Sequence, residues 1–169
     1  MTNAIYTASI PVFTQMLGGL KTVLRKAEAH ATEKTIDPKV LLQARLSPDM
    51  FPLLRQVQVA TDFAKSVSAR LAGTEVPKMD DAEQTFVELQ ARIDTVLAFV
   101  GGLDIAKFDE AATREIVTQA GTPKEKRFTG QSYIFNYGLP HFFFHTTTAY
   151  AILRHSGVEV GKKDYIGTY

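Results

Sequence analysis

Apolar side chains recur at helical spacing in four long stretches of the chain. Between residues 10 and 31, Ile10, Phe13, Met16, Leu17, Leu20, Val23, Leu24, Ala27 and Ala31 fall on one broad stripe, as expected when about 3.6 residues complete a turn. Ser9 is placed to cap this first helix and Pro11 to occupy its opening turn, where a missing amide donor costs little. The pair Gly18-Gly19 weakens helix propensity, so its expected use is to admit a close neighbour. A second helix is expected from about Met50 to Leu71 or Ala72, capped at Asp49 and stopped by Gly73. Besides its apolar line, this helix carries the stripe Asp49, Pro52, Gln56, Ala60, Phe63 and Val67, polar at one end and apolar at the other. A third helix opens at Asp80-Asp81-Ala82-Glu83, buries Phe86, Leu89, Ile93, Val96, Leu97 and Val100, and ends at Gly101-Gly102. The fourth runs from Thr129-Gly130 to His155, with Gly138 and Pro140 predicting a kink.

The intervals are less regular. Asp37-Pro38 predicts a short capped helix. The helical period fades between Leu103 and Thr129, where Arg114 to Gln119 and Lys126 to Thr129 read as two short strands joined around Ala120-Gly121-Thr122-Pro123. In the tail, Val158, Val160, Tyr165 and Ile166 are able to pack over the helices. Each amphipathic stripe needs an apolar partner, so the economical architecture is all-α: a four-helix bundle with a small hairpin or irregular insert before the last helix, formed as one domain over residues 1–169.

Composition narrows the function classes. A net charge of +1, with lysines and arginines mixed among acidic residues, offers no footprint for nucleic acid. No segment reaches the roughly 20 apolar residues of a membrane helix, and the N-terminus lacks a signal-peptide pattern, so neither membrane nor export is expected and the cytoplasm is the default. With no cysteine, thiolate chemistry and Cys-type metal sites are absent.

Candidate chemistry gathers in Phe135 to Ser156, which holds three of the four histidines. On a helix, Tyr133, Tyr137, His141 and His145 form one four-residue ladder, and the last two lie one turn apart, near enough to share a cation. No HExxH sequence accompanies them. The alternative is a pair of interior histidines bonded to Gln56, Tyr133 or Tyr137 in a polar pocket. Phe142, Phe143 and Phe144 cannot all face one core, so at least one is expected between helices or in a subunit contact.

The segments RLSPDMFPLLRQVQVATDFAK and LPHFFFHTTTAYAILRHSGVEVGKKDYIG, with the chain length, resemble an uncharacterised bacterial family within the DinB/YfiT-like superfamily of four-helix bundles. That resemblance implies a divalent metal such as zinc or nickel held by three histidines, one on helix two and two spaced four apart on the last helix, and in some members a thiol-dependent transferase activity. Here His141 and His145 match the last-helix pair, and the helix-two position falls on Gln56, a weaker ligand than imidazole. Asp49, earlier on the same stripe, is the candidate to supplement it. The expectations are therefore a metal at His141, His145 and Gln56 in a pocket with Asp49, Tyr133 and Tyr137, or a non-catalytic homodimer that binds a small-molecule ligand or is structural. No catalytic residue is assigned.

Overall fold

The computed structural model describes residues 3–168. Helix α1 spans Ala4–Glu33, α2 Pro38–Leu42, α3 Leu53–Leu71, and α4 Phe86–Gly101. A 3-10 turn at Ile105–Phe108 leads to an antiparallel hairpin of β1, Glu115–Thr118, and β2, Lys126–Thr129. The last rod is continuous but not uniform: α5, Gly130–Tyr133, passes through a π-helical segment, Ile134–Gly138, into α6, Leu139–His155. A short α7, Lys162–Ile166, closes the chain.

The four long helices form the expected bundle, and the hairpin precedes the last of them. Helix α1 packs beside α4 and α6, and α3 packs beside α4 and α6, so α1 and α3 are diagonal partners. That diagonal explains the long link 34–52: it must cross the end of the bundle, and α2 buries Leu41 and Leu42 as it does so. Phe13, Leu17, Leu24, Leu53, Val57, Leu89, Ile93 and Phe142 are sealed at the centre.

Three helix starts differ from the sequence expectation, each for a local reason. Helix α1 begins at Ala4 because the Asn3 side chain accepts from the amides of Ile5 and Tyr6, which outcompetes a start at Ser9. Ser9 is instead buried, its hydroxyl donating to the carbonyl of Ile5, and Pro11 is interior. Helix α3 starts at Leu53, with Pro52 in the cap position, so Asp49 lies in the preceding turn rather than on the helix stripe. Helix α4 starts at Phe86 because Thr85 and Glu88 form a capping box, while residues 80–84 run outside the helix.

Those residues are held by Arg92, whose buried guanidinium bonds the Asp80 carbonyl, Glu83, Asp62 and the Thr61 hydroxyl. Asp81 pairs with both Arg92 and Arg55, and Lys65 pairs with Asp62. The network fixes the α3–α4 connector against α3. Gly19 does admit a close neighbour, but it is the tail: a Cβ there would lie 2.3 Å from the Tyr165 carbonyl oxygen.

Candidate functional site

Pro140 is accommodated by the π-helical segment. It falls in the first turn of α6, and the Leu139 amide bonds back to Ile134, the wide i to i+5 pattern of a π turn. In such a turn, residues four apart come almost into line. Tyr133 stacks on Tyr137 with centroids 5.5 Å apart, and Tyr137 meets His141 at 4.5 Å. Gly138 allows this rod to sit on α3, since a Cβ would press to 3.0 Å from both Val67 methyl carbons.

Across the interface, Phe63 of α3 lies flat against the His141 ring at 4.7 Å and 5°, and close to parallel with His145 at 6.0 Å and 18°. His145 is only 8% exposed, whereas His141 opens to solvent. The His145 Nδ1 lies 2.7 Å from Oε1 of buried Gln56. The Gln56 Nε2 donates to the Phe51 carbonyl at 3.1 Å, which fixes the amide with its oxygen toward the imidazole. An amide oxygen only accepts, so His145 Nδ1 carries the proton and Nε2 keeps its lone pair. Burial, then neighbouring His141 and Arg55, push the His145 pKa down to about 4, so the ring is neutral at pH 7. Burial and Lys126 lower His141 as well.

The ladder continues into an open cleft of about 250 Å³ between α3, the π segment and the hairpin. Tyr133, Tyr137, Phe63 and Arg70 line it, and Arg70 donates to the fully buried Tyr133 hydroxyl at 3.1 Å. Burial raises the Tyr133 pKa, and Arg70 opposes that shift. On the other side of His141, a shallower apolar depression of about 480 Å³ is bounded by Pro140, Phe144 and His145.

Of the sequence candidates, Gln56, Tyr133, Tyr137, His141 and His145 lie along this one interface. Asp49 does not join them: its carboxylate is exposed and accepts from the Ser47 hydroxyl at 2.6 Å. Among the described residues, no group of three histidine, aspartate or glutamate side chains is arranged to hold a metal ion. The three phenylalanines part as their spacing requires: Phe142 is in the core, Phe143 is half-buried and Phe144 is 55% exposed.

Residues 5–166 match the family described as "Domain of unknown function (DUF1993)". The chain belongs to this family. As a member it is also similar to a DinB family member protein from Shewanella denitrificans, seen in a crystal structure: 45% identity over 97% of this chain and 92% of that one, with a TM-score of 0.91. No curated protein matches. The DinB-like, all-α bundle reading of the sequence therefore stands, and among the described residues no helix is long and apolar enough to cross a membrane.

Sequence reasoning did not single out Arg70 or Lys126, whose ammonium lies 5.6 Å from the Tyr137 ring centroid. Arg70 had a signal: Gln56, Phe63 and Arg70 are seven residues apart, hence on one face of α3. Lys126 had none, because the hairpin brings it to the site from outside any helical repeat.

Proposed function

We propose that this DinB-like bundle binds a small molecule at the α3–α6 interface beside His141, with His145 Nε2 as an oriented, neutral hydrogen-bond acceptor at the Pro140–Phe144 depression and with Phe63 and Tyr137 walling the adjoining cleft. The observation that carries this is the bond from His145 Nδ1–H to Gln56 Oε1. It spends the Gln56 oxygen on holding the ring, in the manner of an outer partner that fixes a histidine tautomer.

The donor set does not fit the three-ligand metal centre that the resemblance implies. Two imidazoles remain, Gln56 is engaged at both ends by His145 and Phe51, and Asp49 is turned away. A divalent zinc or nickel ion would have His141 and His145 as its protein ligands and would be held weakly. Elemental analysis of untagged protein after gel filtration tests this. The expected content is well below one equivalent of metal. About one equivalent, lost in a His141→Ala, His145→Ala double variant, would overturn the reading in favour of a metal-dependent enzyme.

The exposed rings of Phe51 and Phe144 support a second reading, a homodimer seated on this face. Sedimentation of wild type and Phe144→Ser decides it: a dimer that dissociates in the variant supports the contact, and a monomeric wild type removes it.

A further inference from the structure

Arg70 is the cation of the cleft that the fold leaves without a carboxylate. Half-buried on α3, it donates through Nη1 to the Tyr133 hydroxyl at 3.1 Å, and among the described residues no aspartate or glutamate pairs with it. The other charged groups in the same wall are already matched. Arg55 pairs with Asp81, and Asp62 accepts from Lys65 at 3.0 Å and from Arg92 at 2.9 Å. Tyr133 is sealed in the bundle, so it anchors one side of the guanidinium and leaves the rest of the fork for the cleft. The volume of about 250 Å³ suits a small organic molecule, and the walls beside Arg70 are Phe63 and Tyr137. Lys126 adds a second positive charge at the Tyr137 ring. Gln119 lines the same cleft with a left-handed φ of 53°, a backbone cost that a non-glycine residue bears only where its surroundings impose it.

We propose that this cleft binds a small organic anion, a carboxylate or a phosphate monoester bearing an aromatic or apolar group, with the anionic head on Arg70 and the organic part against the wall that Phe63 and Tyr137 form together. This rests on the small-molecule reading above and names the ligand class for it. Guanidinium offers paired N–H donors that match both carboxylate and phosphate, which is why one arginine serves either head group.

The test is an NMR titration of the full chain with benzoate, phenyl phosphate and neutral benzyl alcohol, following the Tyr137 ring and His145 imidazole signals. Both anions should bind more tightly than the alcohol, and whichever binds tighter identifies the head group. Arg70→Gln should weaken the anions about ten-fold, the loss of one charge-assisted hydrogen bond, and leave the alcohol unchanged; Arg70→Lys should fall between. Anions that bind no better than benzyl alcohol, or that bind Arg70→Gln as well as wild type, overturn the proposal. Should Arg70→Gln fail to fold, added sodium chloride replaces it: anion binding to wild type must weaken with salt while alcohol binding does not, and equal behaviour overturns the proposal. The two readings separate cleanly. If benzyl alcohol binds, is lost in His145→Ala, and the anions show no preference, the pocket stands and the anion site falls. If the anions bind through Arg70 without moving the His145 signals, the anion site stands and the His145-centred reading falls.

Discussion

Gln56 and His145 lie 89 positions apart in the sequence and meet through a 2.7 Å hydrogen bond between Oε1 and Nδ1. The geometry has a direction, because Gln56 Nε2 is committed to the Phe51 carbonyl. Gln56 therefore sets the tautomer of His145, and Phe63 sets the plane of the ring. The position where the resemblance calls for a third imidazole is thus occupied by a residue that orients the second.

Replacing that residue should restore what the donor set lacks. Gln56→His supplies a third imidazole facing the pair, and zinc affinity measured by competition with a chromophoric chelator should rise by on the order of a hundred-fold or more, exceeding the usual effect of an outer-shell change. Unchanged affinity would show that the three side chains do not converge on a common point.

The depressed His145 pKa predicts an acid-sensitive stability. In the unfolded chain the ring titrates near 6.5, and in the folded chain near 4. Between those values the unfolded chain holds more protons, so stability is full above about 6.5 and is lost as pH falls toward 4. The group's share of the loss is on the order of 3 kcal/mol. Urea melts across this range should show the slope in wild type and a flatter line in His145→Gln.

The Arg92 cluster should be costly to break. Arg92→Met leaves Asp62, Asp81 and Glu83 close together without their shared cation. Loss of one partner from a buried ionic network costs about 3–5 kcal/mol. A denaturation midpoint unchanged from wild type would show that the network contributes little.

Two glycines position the last rod. A Cβ on Gly130 would lie 1.7 Å from the Ala111 carbonyl oxygen, which only backbone movement can relieve. Gly130→Ala should cost about 2–3 kcal/mol and shift the Tyr133 ring signals. Gly138→Ala meets the two Val67 methyl carbons at 3.0 Å rather than a backbone oxygen at 1.7 Å, so its penalty should be smaller. Equal midpoints for the two variants would contradict this account of the junction.

The four apolar stripes made the bundle legible, because periodicity reports what is buried regardless of how helices end. The ends were less legible: Asn3 and the Thr85–Glu88 box outcompete caps that look equally good in one dimension. Pro140 announced a kink but not a π segment, which takes up the proline while the rod stays continuous. A bond from an interior histidine to Gln56 was one of the alternatives the sequence offered, but its direction was not legible, since that comes from Phe51, a residue whose backbone, not its side chain, takes part. Asp49 was misplaced because the stripe was extended through Pro52, where the helix has not yet begun.

The central claim is that Gln56 holds His145 as the neutral Nδ1–H tautomer with Nε2 free. Imidazole nitrogen chemical shifts from long-range 1H–15N correlation spectra test it directly. At pH 7 the account predicts a protonated Nδ1 and an unprotonated Nε2 for His145, with the tautomer balance shifting in Gln56→Leu. An Nε2–H tautomer, or a charged ring at pH 7, would contradict it.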